Sequence, residues 1–362
     1  MSASRSLVAP TSNPLLERAL LDKLHKRSLT CGSFGELEPL AVRLGLIQNT
    51  LKPRLRDPQV LLFASDHGLA VDGIAEAGRS TRDQVLQVLH ARSPLTVFAR
   101  QQGIALTVVD AGVADPLPAH ELLLVRKIAH GTRNARVHAA MSLEQAHAAI
   151  RAGMEIAEAM PGNVALCAGL GVGADVSAAL VLARLSQVPL RHLLWAGPTM
   201  TEATLAQLLL VAQSAQGRHR GVAEPVEVLA AFGGFEIAML AGLMLAVAAK
   251  RQLLLVDGMA ACAALRVAQR IAAPVTDYCV FCRSHGRQNL DHALGVFHAS
   301  ALLELGMDSI DGTGATLAWP LVKSAAALLT DVAEGDEPGP SRPAALDAAP
   351  AAIPATAGDS VR

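Results

Sequence analysis

The stretch NVALCAGLGVGADVSAALVLARL, Asn163–Leu185, decides the fold. It opens on a continuous apolar run without polar alternation, the pattern of a strand covered on both faces. The glycines of Ala168-Gly169-Leu170-Gly171-Val172-Gly173-Ala174 break that run, and the Ala/Leu-rich SAALVLARL reads as a helix running from about Ser177. Strand, glycine turn and helix form one unit of a parallel sheet. The unit recurs along the chain. VLLFAS (Val60–Ser65) leads into Asp66-His67-Gly68, IALTVVDAG (Ile104–Gly112) into a Pro-rich turn, and RQLLLVDG (Arg251–Gly258) into ACAALRVAQRI, while TDYCVFCRSH (Thr276–His285) closes the series. The expected fold is α/β, a parallel sheet covered by helices, and no fixed-period repeat signals a solenoid. In such sheets ligands collect at the carboxyl ends of the strands, where DHG, DAG, GLGVG, DG and CRSH all fall.

Composition narrows the partners. Lys plus Arg number 31 against 32 Asp plus Glu, a net charge of -1 in 362 residues, so the basic footprint of a nucleic-acid-binding protein is missing. Hydrophobic residues make up 51% and aromatics 3%, which excludes a disordered chain and implies a core of Ala, Leu and Val. The longest apolar run, Ile237–Ala249, lies between Glu236 and Lys250-Arg251. It is shorter than the roughly 18 residues a membrane span needs, and reads as a buried helix. Met1–Pro14 carries no apolar signal segment, and an odd count of 5 cysteines fits a reducing cytoplasm better than a disulfide framework. From about Asp331 the chain turns to Ala, Pro, Gly and Asp. Residues 1–330 are therefore expected to hold the folded part and 331–362 a disordered tail.

Several strand ends carry groups suited to chemistry. Backbone N–H groups at the Gly171–Gly173 turn, opening a helix, favour a phosphate. The spacing GxGxG and the lack of a carboxylate near position 193 argue against a nicotinamide dinucleotide. Asp175 would repel an anion there unless turned away or neutralised, and glycines serving helix packing alone are the alternative. Asp311-Gly312-Thr313-Gly314-Ala315 forms a second glycine-rich helix start. Asp311 is either the N-cap of that helix or a general base. Cys279, Cys282 and His285 space as C-x2-C-x2-H, but zinc lacks a fourth ligand and the two cysteines of an extended strand face opposite ways, so no metal is expected. Asp66-His67 is a polar pair placed where ligands gather, with a structural histidine as the alternative.

AAFGGFEIAMLAGLMLAVAA (Ala230–Ala249) is close to a GGFEIAAM segment, and around it stand FASDHGLAVDGI, VVDAGV, KIAHGTRN with AMSLEQAHAAIRAG, the glycine turn, LLVDGMAACAAL, SHGRQNLDH and LLELGMDSIDGTGATLAWPLV. In this order, from about Pro14 to Leu329, these pieces resemble the nicotinate mononucleotide:5,6-dimethylbenzimidazole phosphoribosyltransferases of cobamide lower-ligand synthesis. The resemblance implies a Rossmann-like parallel sheet, a small helical part built from distant chain segments, and a homodimer. It also implies small-molecule substrates and no metal or redox cofactor. Phosphoribose would pass from nicotinate mononucleotide to a benzimidazole nitrogen, with a glutamate of a GEGTGA motif as general base.

The carry-over is uneven. Ser284, His285 and His292 match SHRSAEPGH, and Gly312, Thr313 and Gly314 match the end of GEGTGA, with Asp311 in the place of the catalytic glutamate and Ile310 before it. Against the phosphate turn GEMGIGNTT the chain has Gly169 for the glutamate, Ala174 for the asparagine and Asp175 for a threonine, and Gln207 falls where a lysine stands. The resemblance therefore implies Asp311 as catalytic residue, and Asp66, His67, Gly171, Gly173, Asp175, Ser284, His285, Gly312, Thr313 and Gly314 as substrate-binding residues. The alternative is a homologue with impaired catalysis that acts as a binding or partner subunit.

Overall fold

The structure is a computed structural model that describes residues 7–74, 80–194, 200–284, 289–307 and 309–333. In chain order the helices are α1 (Pro14–Cys31), α2 (Leu37–Gln48), α3 (Thr81–Leu89), α4 (Pro94–Gln101), α5 (Leu143–Ala159), α6 (Ala174–Ser186), α7 (Leu190–Leu194), α8 (Glu202–Arg218), α9 (Pro225–Phe232), α10 (Phe235–Ala249), α11 (Met259–Ile271), α12 (Asn289–Gly295) and α13 (Thr313–Thr330). The strands are β1 (Gln59–Ser65), β2 (Ala105–Gly112), β3 (Leu123–Val125), β4 (Val164–Leu170), β5 (Leu253–Val256), β6 (Cys279–Phe281), β7 (Arg283–Ser284) and β8 (Leu303–Glu304).

Among the described residues six strands form one sheet in the order β3-β2-β1-β4-β5-β6, every pair parallel. The order reverses direction between β1 and β4, which opens a crevice beyond their carboxyl ends. Both faces are covered. A Cβ at Gly169 would point at Ala260 and Glu236 of α11 and α10, whereas Ala168, one residue earlier, points at Gly312 and hence at the start of α13. Successive side chains leave a strand on opposite faces, so α10 and α11 cover one side and α13 the other. Helices α1 and α2 pack on α13, bringing the two ends of the described chain together.

The run Ile237–Ala249 lies inside α10, which is apolar all round and buried along almost its whole length. Helix α5 crosses it backbone to backbone, because Gly153 and Gly242 carry no side chain at the contact. A Cβ on Gly242 would collide with the Ile150 carbonyl oxygen. Gly242→Val is expected to force the helices apart at a cost of roughly 1–3 kcal/mol, read as a lower urea midpoint. An unchanged midpoint would show the crossing to be looser.

Two local expectations are corrected. The helix after the glycine turn starts at Ala174, not near Ser177, because Gly173 takes a left-handed φ of 89° and its carbonyl already accepts from Ser177 N at 3.1 Å. The segment Thr276–His285 is not one strand. Ala273–Tyr278 winds as a 3-10 helix, β6 spans only Cys279–Phe281, and Arg283–Ser284 leaves to pair with β8 in a separate two-stranded sheet. His285 lies outside the described residues, as does the tail from 334 onward.

Candidate active site at the strand ends

Asp257 follows β5 and is buried. It accepts from Arg283 Nε at 2.6 Å and from Ala315 N, in the first turn of α13, at 3.2 Å. Arg283, only 3% exposed, spends the rest of its guanidinium on the chain leading to α13. Nη1 donates to the Met307 carbonyl at 3.1 Å and to Ser309 Oγ at 3.4 Å, and Nη2 to the Ser309 carbonyl at 3.2 Å and to Asp311 Oδ1 at 2.9 Å. One buried arginine therefore holds two carboxylates and the segment that delivers the second. Glycines make room for it: a Cβ on Gly314 would press on the Arg283 stem at 2.7 Å, and one on Gly258, at φ +99°, would collide with the Asp311 carboxyl.

Asp311 is not the N-cap of α13. That place is taken by Gly312 at φ 91°, with no side-chain cap. Its carboxyl instead sits over the end of β5, with 18% of the side chain exposed. Burial pushes its pKa well above the ordinary carboxylate value. Arg283 pulls it back, while Asp257 and Asp175 push it further up. A carboxylate that grips its proton this firmly, yet is positioned by a cation, is suited to general-base work. Thr313 donates its hydroxyl to the Ile310 carbonyl at 2.7 Å, so it closes the turn behind Asp311.

The second cluster fills the crevice between β1 and β4. Both oxygens of Asp66 are used, one by Thr81 Oγ1 and the other by Ala114 N at 2.7 Å, and Thr81 Oγ1 also accepts from Val172 N at 2.9 Å. Asp66 thus ties the ends of β1 and β2 to α3 and to the glycine turn. His67 is buried against that turn: a Cβ on Gly173 would lie 3.1 Å from His67 Cβ, and one on Gly171 would lie 3.5 Å from His67 Cδ2. Its Nε2 stands 2.9 Å from Oε1 of Glu236, a fully buried acid in the first turn of α10. The contact is close but poorly aligned for a hydrogen bond, and neither Glu236 oxygen has an aligned donor among the described residues.

Asp175, exposed in the first turn of α6, links the clusters, since its charge acts on both His67 and Asp311. Ser284 is half-buried beside Arg283 in β7. Gln207 is exposed on α8 and donates to the Asp72 carbonyl at 3.3 Å. Cys279 and Cys282 are buried, their thiols directed at the carbonyls of Val275 and Val280, and burial pushes the Cys279 thiol up to about 12. Among the described residues no three His, Cys, Asp or Glu side chains converge on a metal position.

Beyond Asp311, the residues of this site that sequence reasoning missed are Glu236, Asp257, and Arg283 with its partners Met307 and Ser309. Asp257 had a usable signal, an acid before glycine at a strand end. Glu236 had the weaker one of a lone charge bordering an apolar run.

Comparison with known proteins places this geometry. Residues 9–339 match a family model described as Phosphoribosyltransferase. A nicotinate-nucleotide-dimethylbenzimidazole phosphoribosyltransferase of Cupriavidus taiwanensis is 44% identical over 324 residues, covering 88% of this chain and 92% of that protein. One of Janthinobacterium sp. is 35% identical over 333 residues, covering 90% and 96%. The crystal structure of the protein of that name from Thermus thermophilus superposes with a TM-score of 0.81 at 29% identity, covering 88% of this chain and 96% of that one. The six parallel strands, the acid at the start of α13 and these likenesses over nearly the whole length lead to one conclusion: the chain belongs to the nicotinate-nucleotide-dimethylbenzimidazole phosphoribosyltransferase family.

Proposed function

We propose that the protein transfers phosphoribose from nicotinate mononucleotide to a benzimidazole-type base, releasing nicotinate and forming an α-ribazole 5′-phosphate for cobamide assembly. The observation that carries this reading is the Asp311 carboxyl, retained where the family resemblance calls for a base, gripped by Arg283 at 2.9 Å and resting on the end of β5. In the proposed reaction the acceptor's N–H proton passes to Asp311 as the neighbouring ring nitrogen attacks the anomeric carbon, and the nicotinate nitrogen leaves with the electron pair of the glycosidic bond. An aspartate reaches one methylene less far than a glutamate, and Arg283 fixes where this shorter acid stands, holding Asp311 Oδ1 together with the Met307 and Ser309 carbonyls.

A catalytically impaired partner subunit is the less favoured reading, because the chain keeps a carboxyl at Asp311 and matches relatives named as the transferase over nearly their whole length. The reading includes a homodimer working in the cytoplasm, a substrate site of His67, Gly171, Gly173, Asp175, Ser284, Gly312, Thr313 and Gly314 with Asp66 as its brace, and a folded body over residues 1–330. No described helix is long and apolar enough to cross a membrane. The test is to incubate the purified full chain with nicotinate mononucleotide and 5,6-dimethylbenzimidazole. Stoichiometric nicotinate and ribazole phosphate are expected. Neither product, with either this base or unsubstituted benzimidazole, would reject the reading.

A further inference from the structure

The glycine turn faces an electrostatic difficulty. Val172 N is taken by Thr81 Oγ1, so what the turn offers an anion is its remaining backbone N–H groups and the helix dipole of α6, about half a positive charge, while Asp175 stands in the first turn of that helix and Asp66 is joined to the turn through Thr81. Arg283 is engaged by Asp257 and Asp311, and Gln207 on α8 is a neutral amide.

His67 is differently placed. Glycines from two chain segments, Gly171 with Gly173 and Gly234, wall its ring in, and a Cβ at Gly234 would collide with both His67 Cε1 and the Glu236 carboxylate. The imidazole is thus wedged between the turn and the acid, with Nε2 2.9 Å from Glu236 Oε1. We propose that His67, clamped by Glu236 beneath the Gly171–Gly173 turn, supplies the positive charge that lets this turn hold a phosphate group, and that Glu236 is the positioning residue for it. The inference rests on the reading above that the turn receives the donor's 5′-phosphate.

The arrangement has the right polarity. The Cβ and Cδ2 side of the ring lies against the turn and Nε2 against the acid, so the positive end of the pair is the one nearer the turn. Buried charge survives only when paired, and the glycines leave the ring no room to swing away. Burial opposes protonation of His67, but the Glu236 carboxylate, and after it Asp66 and Asp175, outweigh burial and raise its pKa above the ordinary 6.5. Among the described residues these three acids, on α10, beside His67 and on α6, are the charged groups that act on it.

Sulfate is the probe, because it is tetrahedral and keeps its charge where phosphate titrates. Calorimetry with the full chain from about pH 6 to about pH 9.5, bracketing a raised histidine, is expected to show sulfate affinity falling roughly 10-fold as His67 loses its proton. His67→Gln should bind weakly at every pH. Glu236→Gln should keep the affinity of the acidic limb but move the midpoint to lower pH, a shift a merely structural role would not produce. In the unmodified protein, saturating sulfate should in turn raise the His67 pKa followed by NMR, since coupling is reciprocal. A pH-independent affinity in the unmodified chain, a His67 pKa that ignores sulfate, or an unaltered profile in His67→Gln would overturn the proposal. Sulfate binding needs no turnover, so a chain that binds as expected yet makes no ribazole phosphate would sink the transfer reading alone.

Discussion

Asp311→Asn is expected to lower nicotinate release by roughly 100-fold to 10,000-fold, the usual contribution of a positioned general base, with little change in donor affinity. Asparagine keeps the shape, and its side-chain oxygen can still accept from Arg283 Nη2, so the segment from Met307 stays in place. The variant also carries a stability signature. Because the folded protein raises the pKa of Asp311, the neutral acid is the form the fold prefers. That preference is fully present below the unfolded carboxylate value of about 3.9 and is lost as pH rises through the folded value. Asparagine cannot ionise, so Asp311→Asn should be at least as stable as the unmodified protein at neutral and higher pH while being nearly inactive. In the unmodified enzyme turnover should rise with pH through the same raised pKa, and the variant should lack this limb. A variant that keeps its turnover removes Asp311 from the mechanism.

Arg283→Met should have the largest effect on stability, roughly 3–5 kcal/mol. Removing one partner strands buried charge, here that of Asp257 at 2.6 Å, and takes from Asp311 at 2.9 Å the cation that favours its ionised form. Three oxygens of Met307 and Ser309 lose their donors as well. Denaturant unfolding would report the loss. A double variant adding Asp257→Asn should recover part of it, because the stranded charge of Asp257 is then gone. The activity profile separates the roles of the arginine. Arg283 lowers the Asp311 pKa, against burial and Asp257, so whatever turnover survives in the single variant should need a more alkaline pH. A stable Arg283→Met protein with an unmoved pH profile would show that the arginine neither holds the fold nor tunes the base.

Much of the architecture is legible in the sequence. Val60–Ser65, Ile104–Gly112 and the run after Asn163 correspond to β1, β2 and β4, because an unbroken apolar run is what a strand covered on both faces requires. The placement of candidate residues at strand ends followed from the same pattern, and Asp311 and the glycine turn do lie there. The local errors came where a backbone conformation outweighed composition. Gly173 in a left-handed conformation starts α6 at Ala174, and Gly312 in the same conformation displaces Asp311 from the cap.

What the sequence determined by itself is therefore whatever a window of ten or so residues encodes: element type, burial, and the sites of turns. Tertiary structure alone decided the pairings. Whether Glu236 closes an apolar helix as a solvated end or faces His67 as a buried acid depends on α10 lying across β1 and β4. Whether Arg283 is a free cation for a phosphate or the clamp of two carboxylates depends on β6 ending at Phe281 and on α13 beginning above β5. Charge interactions act through space over a few ångströms, and the distance between two charges is set by the path of the chain, which no local pattern records.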